Sequence, residues 1–328
     1  MKFFWKHVCV SVVLLGVVVF QILNSVRKLL SLDASPELWE EMRSHRRKLE
    51  IYHQIKNGTY DTAPFEKSSL MPPFYSFSEK FLISPRYKIS QCLIEKVIST
   101  ITEAIFCYID NPVEFEANNR TISTESYEIR FCEERHQRSS ALAARDAVGR
   151  DRIEFALVRD PIDRFLSGFV DKCINHVNHH WKRCYSCGRD LDCFISHLTI
   201  DLLKAYSHGP PGVTSFLPLH FAPQTWYCNF GNNYPDYFIL KYENGAEGVA
   251  QVAEKFREIF KKAQLPEHMR QKIYDEMMIG RTHHSTFDSD ARRSVEEKLM
   301  NNKALLLKLT QLYYYDFVLF DFKMPVLI

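Results

Sequence analysis

The pattern of hydrophobic and polar positions divides the chain into an apolar N-terminus, a polar stretch and a long region where apolar runs alternate with amphipathic ones. Residues 8–23 carry no charge across sixteen positions, which predicts a membrane-spanning helix that is slightly short for an average bilayer. A cleaved signal peptide is the alternative, but residues 24–28 offer a poor cleavage site. We therefore expect a short tail at 1–7 and an uncleaved signal-anchor helix at 8–24.

The polar stretch at 25–80 predicts a stem and a linker. Residues 32–56 are mostly polar and favour a helix, whereas 57–78 carry three prolines, a glycine and several Ser and Thr residues. A globular domain is then expected from 81 to 328, a length that one large domain can fill.

Within 81–328, apolar runs of strand length alternate with stretches of helical spacing. The predicted strands are 87–94, 153–158 and 237–242. The predicted helices are 99–108, 162–174, 248–263, 267–278 and 291–313. Strands that alternate with helices predict an α/β fold, in which helices flank a central, mainly parallel sheet.

Composition narrows the classes of function. With 46% hydrophobic and 25% charged residues, the chain has the composition of a packed globular protein. Its net charge of +2 excludes a global basic field, so we expect no nucleic-acid partner, and any anionic ligand must be held by a local patch.

Cysteines and sequons favour an oxidising compartment. Of nine cysteines, Cys9 lies in the predicted span and eight follow it, an even number that suits disulfides. Asn57 and Asn119 each begin an Asn-x-Thr sequon. Together with the anchor, these features predict a single-pass type II membrane protein whose domain lies in the lumen of the secretory pathway.

One group of cysteines invites a metal hypothesis. The group consists of Cys173, Cys184, Cys187 and Cys193, with His176, His179 and His180 among them. Such spacing suits zinc ligands, but in an oxidising lumen disulfides are favoured. We therefore expect disulfides and no metal, and the sequence leaves their pairing open.

The turn between the first predicted strand and helix combines an ammonium with two hydroxyls. Lys96 precedes Ser99 and Thr100, and a helix N-terminus presents unpaired N–H groups and a partial positive charge that favour an anion. A solvated lysine and an N-capping serine are the structural alternative. The chain lacks the glycine-rich phosphate loop of P-loop kinases, which disfavours an NTP-dependent kinase.

A second phosphate site is predicted after the second strand. Arg159 stands at the end of that strand and Ser167 on the helix that follows. A guanidinium binds phosphate through paired donors, and a serine hydroxyl adds a contact. Arg164 has Asp160 and Asp163 as alternative ion-pair partners, and a purely structural Arg-Asp-Pro turn remains the competing interpretation.

These residues carry a family resemblance. The pattern Arg-Asp-Pro-x-x-Arg-x-x-Ser-x-Phe at 159–169 resembles the 3′-phosphate motif of sulfotransferases that use 3′-phosphoadenylyl sulfate (PAPS), and 96–100 resembles their 5′-phosphosulfate loop. The stretches 220–224 and 237–243, and the closing 315–320, are similar to the chondroitin and HNK-1 branch of Golgi carbohydrate sulfotransferases, especially nematode members. The resemblance implies the P-loop-like sulfotransferase fold and a Golgi membrane location.

The resemblance also implies roles for single residues. The implied PAPS-binding residues are Lys96, Ser99 and Thr100 at the 5′-phosphosulfate, and Arg159 and Ser167 at the 3′-phosphate. Better-studied members of the branch have a proline before the lysine, where this chain has Glu95. A carboxylate beside the phosphosulfate is unfavourable unless its side chain faces away, which strand alternation allows. A membrane-anchored PAPS- or glycan-binding protein with impaired catalysis is therefore the alternative to an enzyme.

Sulfuryl transfer needs a charge-stabilising group at the leaving oxygen and a base at the acceptor hydroxyl. Lys96 suits the first role. For the base, His220 is preferred over His136 and His284 because it lies in a family-like stretch. The implied acceptor is a glycan, in the first instance chondroitin or a related glycosaminoglycan. The basic residues considered for its groove are Arg145, Arg150, Arg152, Lys182, Arg183, Arg281, Arg292 and Arg293.

Overall fold

A computed structural model describes residues 36–126, 130–132, 135–175, 184–208, 216–279 and 289–327. The expected anchor at 8–24 lies outside these residues, and none of the described helices is long and apolar enough to cross a membrane. The chain forms two compact units, Met1–Glu50 and Ile51–Ile328. Residues 51–80, which the sequence places in the stem and linker, thus share a unit with the expected domain, and Tyr52, Leu70 and Met71 are buried there.

The second unit is built on a five-stranded sheet with the order β3-β1-β2-β4-β5. Its strands are β1 (Phe81–Ser84), β2 (Ile89–Cys92), β3 (Gln137–Arg138), β4 (Ile153–Arg159) and β5 (Phe238–Tyr242). Strands β2, β4 and β5 run parallel, whereas β1 is antiparallel to β2 and to β3. The α/β prediction is confirmed, but the sheet is mixed rather than mainly parallel, because a short turn joins β1 to β2 as a hairpin.

Helices surround this sheet and extend beyond it. The described helices are α1 (Pro36–Lys56), α2 (Ser99–Asp110), α3 (Pro112–Ala117), α4 (Ala141–Val148), α5 (Pro161–Phe169), α6 (Leu191–His208), α7 (Phe216–Phe221), α8 (Phe230–Asn233), α9 (Gly245–Lys262), α10 (Glu267–Ile279), α11 (Asp290–Met300) and α12 (Lys303–Leu319). The predicted helix at 162–174 is α5 followed by a π-helical turn, Val170–Asn175.

The predicted helix at 291–313 is wrong in one respect, since two helices occupy that stretch. The break falls at Asn301 and Asn302, between α11 and α12. The side chain of Asn302 accepts a hydrogen bond from the backbone N–H of Leu305 at 3.1 Å and so caps the second helix. An asparagine cap competes with helix continuation, which apolar spacing alone does not reveal.

Strand β4 forms the centre of the core. From Glu154 to Arg159 every residue is buried, a continuous pattern typical of a parallel strand covered on both faces. Phe155 packs edge-on against Phe256 of α9 and also stacks against Phe106 of α2, at ring-centroid distances of 5.7 and 6.4 Å. Because β2, β4 and β5 are parallel, the turns after them meet at one edge of the sheet, where ligands bind in α/β folds.

Disulfides are present, as the sequence predicts. They join Cys92 to Cys228, Cys107 to Cys132, Cys173 to Cys184, and Cys187 to Cys193. The first connects the end of β2 to a segment 136 residues later in the chain.

Candidate functional site

The turn between β2 and α2 has an unusual backbone. Lys96 and Ile98 adopt positive φ angles of 68° and 46°. This left-handed region costs a residue with a Cβ about 1–2 kcal/mol, and such conformations concentrate at functional sites. The shape of the turn is therefore maintained by its surroundings.

Helix α2 begins directly from this turn without a side-chain cap. Its N-cap residue, Ile98, provides no side-chain hydrogen bond. The first N–H groups of a helix have no partner within the helix, so this N-terminus presents donors and a partial positive charge. Ser99 and Thr100 add two half-buried hydroxyls in the first turn. The arrangement suits an anion.

Glu95 does not face away from this N-terminus. Its Oε2 lies 3.5 Å from the hydroxyl of Ser99. Its backbone carbonyl accepts a 2.9 Å hydrogen bond from Nε of Arg164. A carboxylate thus lies beside one of the hydroxyls that the sequence assigns to anion binding.

The side chain of Lys96 forms a buried ion pair. Its Nζ lies 2.8 Å from Oδ2 of Asp171, and the two side chains are 14% and 4% exposed. Lys172 approaches the same carboxylate oxygen at 3.0 Å. Burial raises the pKa of Asp171, but the two ammonium groups outweigh this effect and lower it to about 2. Asp171 is therefore ionised at neutral pH.

Arg159 lies at the end of β4 and is held on three sides. Its Nη1 donates to the backbone carbonyl of Lys96 at 3.0 Å, its Nη2 to Oδ1 of Asn244 at 2.7 Å, and its Nε to Oδ2 of Asp163 at 3.2 Å. The guanidinium also lies 5.4 Å from the ring centroid of Tyr242. A guanidinium has five N–H donors, so the three hydrogen bonds to described residues leave two for a ligand.

Asp163 accepts hydrogen bonds from Arg159 and from two residues near it. Its carboxylate accepts from Arg159, from the amide of Asn244 and from the guanidinium of Arg292, which is buried on α11. Asn244 is the N-cap residue of α9, yet its side chain does not cap that helix. Its amide is instead shared between Arg159 and Asp163. The N-termini of α2, α5 and α9 therefore meet around one guanidinium, which favours an anionic ligand.

Gln224 supports Arg159 from behind. Its Oε1 accepts from the backbone N–H of Arg159 at 2.9 Å, and its Nε2 donates to the carbonyl at 2.8 Å. Asp316, fully buried on α12, accepts from the backbone N–H groups of Gln224 and Thr225 at 2.6 and 2.9 Å. Two of the stretches that carry the family resemblance, 220–224 and 315–320, therefore act together on the end of β4.

Arg164 binds backbone carbonyls rather than Asp160 or Asp163, the two alternative ion-pair partners. Its Nε donates to the carbonyl of Glu95 and its Nη1 to the carbonyl of Ala222, at 2.9 and 2.7 Å. The side chain is 1% exposed and points into the core, away from the first turn of α5. Its role is to hold the turn after β2 against the chain that follows α7.

The remaining predicted residues lie on neighbouring elements. Ser167 is buried on α5, and His220 is buried on α7. The two helices pack closely, since a Cβ built on Gly168 would lie 2.7 Å from Cε1 of Phe221. Among the described residues, no hydrogen bond joins Ser167 or Thr100 to Lys96 or Arg159.

The other histidines considered as a base lie elsewhere. His136 is 5% exposed, and burial, together with the charges of Arg135, Lys80 and Arg130, lowers its pKa to about 4. His284 lies outside the described residues.

Most of the described basic residues considered for an acceptor groove are already paired. Arg145 and Arg152 contact Glu154, Arg292 contacts Asp163, and Arg293 contacts Asp290. Arg150 is exposed, and Lys182, Arg183 and Arg281 lie outside the described residues.

The cysteine group shows disulfide chemistry rather than free thiolates. The sulfurs of Cys187 and Cys193 each lie 3.8 Å from Nδ1 of His197, but they are bonded to each other. A disulfide sulfur is not the thiolate that zinc requires.

Sequence reasoning missed Asp171 and Asn244 and gave no role to Gln224 or Asp316. Gln224 and Asp316 lie in stretches that the resemblance had marked, so a signal existed for their location. Asp171 lies four residues beyond Ser167 in the π-helical turn, and its contact with Lys96 spans 75 positions. Local pattern carries no signal for such a contact.

A comparison with protein families identifies the family of this domain. Residues 79–323 match the sulfotransferase family. The chain belongs to the sulfotransferase family. Membership of this family confirms that the protein is a sulfotransferase. The matched region contains β2, β4 and β5 of this sulfotransferase, together with Lys96, Arg159 and Asp171.

Two curated relatives come from Caenorhabditis elegans. The carbohydrate sulfotransferase chst-1 is 31% identical over 284 residues, which cover 83% of this sulfotransferase and 86% of the relative. The protein vep-2 is 29% identical over 217 residues, covering 64% of this chain and 66% of its own. No solved structure matches the chain at a significant level.

Proposed function

We propose that this sulfotransferase moves a sulfuryl group from PAPS to a hydroxyl of a carbohydrate. The relative chst-1 carries the name of a carbohydrate sulfotransferase and aligns over most of both chains. PAPS carries anionic groups at its 3′ and 5′ positions, so its binding site needs two adjacent anion sites.

One observation carries the proposal: the two predicted anion sites share a hydrogen bond. Nη1 of Arg159 donates to the carbonyl of Lys96 at 3.0 Å. The guanidinium and the N-terminus of α2 are therefore neighbours at one edge of the sheet. The donor set fits PAPS, because a guanidinium with spare N–H groups suits a phosphate and an uncapped helix N-terminus suits a second anion. Arg159 and Ser167 would hold the 3′-phosphate, and Lys96, Ser99 and Thr100 the 5′-phosphosulfate.

In the proposed reaction the acceptor hydroxyl attacks sulfur in line with the bond to the leaving oxygen. The new O–S bond forms as the bridging S–O bond breaks, and the electron pair of that bond leaves with the 5′-phosphate of 3′-phosphoadenosine 5′-phosphate (PAP). The ammonium of Lys96 meets the charge that builds on the leaving oxygen. The hydroxyl proton goes to a base, for which we propose His220.

A second candidate function rests on Glu95. Its carboxylate lies 3.5 Å from the hydroxyl of Ser99, where it opposes an anion on the same helix N-terminus. A lumenal protein that binds PAPS or a glycan but transfers sulfate poorly would follow from this repulsion.

We further propose a Golgi membrane location, with the anchor at 8–24 and the domain in the lumen. Four disulfides suit an oxidising compartment. Asn57 and Asn119 of the two sequons are exposed, as glycan attachment requires. Chondroitin or a related glycosaminoglycan is the proposed acceptor class.

The function is tested by transfer of radiolabelled sulfate from PAPS to a panel of desulfated glycans. The full chain is compared with Lys96→Ala and Arg159→Ala, which should both abolish transfer. His220→Gln and His136→Gln are assayed beside them, and only the His220 variant should lose most of kcat. PAP binding without transfer by the wild type would favour the binding protein. Absence of both binding and transfer would refute the proposal.

A further inference from the structure

We propose that Asp171 is a positioning residue for the proposed catalytic lysine. Its carboxylate holds the ammonium of Lys96 through an ion pair that joins the turn after β2 to the π-helical turn after α5. This inference rests on the proposed function, in which Lys96 meets the leaving oxygen. It adds a residue that neither the motif at 159–169 nor the turn at 96–100 contains.

Lys96 is bound both at its backbone carbonyl and at its side-chain ammonium. Its backbone carbonyl accepts from Arg159 at 3.0 Å, and its Nζ lies 2.8 Å from the carboxylate of Asp171. Arg159 precedes α5 and Asp171 follows it, so the β4–α5 segment that carries the proposed 3′-phosphate site also fixes the lysine. The two contacts hold a residue whose backbone is left-handed, with a φ of 68°.

Burial at this site disfavours the charged form of the lysine, and the ion pair with Asp171 favours it. Burial lowers the pKa of Lys96, Asp171 opposes this shift, and the charges of Lys172 and Arg159 add to it. Among the described residues, the charged groups that act on the ammonium are Asp171 and Lys172 of the π-helical turn and Arg159 of β4. Glu95 precedes Lys96 in the same turn. Asp171 is the acidic partner in direct contact with Nζ.

The same contact argues against Asp171 as the base that takes the acceptor proton. In-line transfer places the attacking hydroxyl on the side of sulfur opposite the leaving oxygen. A carboxylate bound to the ammonium at the leaving oxygen lies on the wrong side for that proton. With a pKa lowered to about 2, it is also a weak base. Asp171 therefore acts through Lys96.

The first measurement is the protonation of Lys96 itself. Brief labelling of the full chain with acetic anhydride at a series of pH values, read by mass spectrometry on the Lys96 peptide, gives the pH at which the amine becomes neutral. In Asp171→Asn this midpoint should fall by about one pH unit or more, because an opposite charge has been removed. Asp171→Glu should restore most of the difference. An unchanged midpoint in Asp171→Asn overturns the inference.

A matched control is available on the surface. Oδ1 of Asp192 lies 2.6 Å from Nζ of Lys308, and both side chains are largely exposed. In Asp192→Asn the labelling midpoint of Lys308 should move by less than about half a pH unit, because solvent screens an exposed pair. The midpoint of Lys96 should not change.

The second measurement is transfer activity against pH. Asp171→Asn should lower kcat by about tenfold to a hundredfold, with a smaller change in KM for PAPS, and the alkaline limb of the profile should move to lower pH. Wild-type kcat and an unmoved alkaline limb in this variant overturn the inference while leaving the proposed function intact. Since labelling needs neither PAPS nor acceptor, a wild type that transfers no sulfate refutes the proposed function alone.

Discussion

The guanidinium of Arg159 donates a 3.0 Å hydrogen bond to the backbone carbonyl of Lys96 and so joins the end of β4 to the turn after β2. Two segments that lie 63 positions apart in the chain therefore form one site. Movement of either residue changes the other, so substitutions that never contact a ligand are expected to affect donor binding.

Asn244 is the first such case. It accepts from Nη2 of Arg159 at 2.7 Å and donates to Asp163, so Asn244→Ala releases one side of the guanidinium. We expect PAP affinity to fall by about tenfold to a hundredfold, since a hydrogen bond to a charged group contributes about 1.5–3 kcal/mol. Isothermal titration calorimetry of the full chain with PAP measures the change.

The control for that experiment is Asn302→Ala, which removes the cap of α12. It should lower the free energy of unfolding by about 1 kcal/mol and leave PAP affinity unchanged. Equal affinities for wild type and Asn244→Ala would contradict the role given to Asn244.

Gly168 tests the packing of α5 against α7. A Cβ at this position would lie 2.7 Å from Cε1 of Phe221, whose buried ring contacts Phe165 and Phe194 and has little room to move. Gly168→Ala should lower the free energy of unfolding by about 1–3 kcal/mol, as overpacking does. Chemical denaturation measures it.

A second substitution separates packing from backbone effects at Gly168. Phe221→Leu alone should also destabilise, but combining it with Gly168→Ala should recover part of the loss, because the smaller side chain admits the methyl group. Strict additivity of the two changes would show that the contact with Phe221 is not the cause.

Asp316 predicts a pH dependence of stability. Burial raises its pKa from 3.8 to about 6, although the N–H groups of Gln224 and Thr225 oppose the shift. Between these values the folded protein holds a proton that the unfolded chain has lost. The contribution to stability is therefore complete below pH 3.8 and is lost as pH rises through about 6.

Asp316→Asn does not titrate and serves as the reference for this effect. Relative to Asp316→Asn, the unfolding free energy of the wild type should fall by about 3 kcal/mol between about pH 3.5 and pH 7. Urea denaturation across that range gives both values. A difference that stays constant with pH would contradict the raised pKa.

The sequence places at the edge of the sheet those residues whose position is encoded locally. Arg159 stands at the end of an apolar strand and Pro161 at the first position of the next helix, so both the strand end and the helix start could be predicted from a few neighbouring residues. The positions of Lys96, Ser99 and Thr100 could be predicted in the same way, since they lie between the end of an apolar strand and the start of a helix. The α/β class followed from the alternation of such units.

What the sequence could not show are contacts between distant segments. Gln224 binds the backbone of Arg159 across 65 positions, and Asp316 binds Gln224 across 92. Both residues were marked by resemblance, but spacing alone does not say that two polar side chains meet. Arg164 shows the same effect: Asp160 and Asp163 are near it in sequence, but its acceptors are the carbonyls of Glu95 and Ala222 and the hydroxyl of Tyr227, 58 to 69 positions away.

Short and irregular elements also could not be predicted from the local pattern of apolar residues. β3 has two residues and β1 has four, too few for a period to be recognised. The π-helical turn changes the residue spacing after α5, so the position of Asp171 relative to Ser167 did not follow from α-helical spacing.

Arg159 and its neighbours are proposed to bind the 3′-phosphate of the sulfate donor. The direct measurement is calorimetric titration of the full chain with PAP and with 5′-AMP, which lacks that phosphate. We expect PAP to bind at least about a hundredfold more tightly than 5′-AMP. Arg159→Lys, which loses the forked donors, should remove most of this difference in affinity. Equal affinity of the wild type for PAP and 5′-AMP would contradict the proposal.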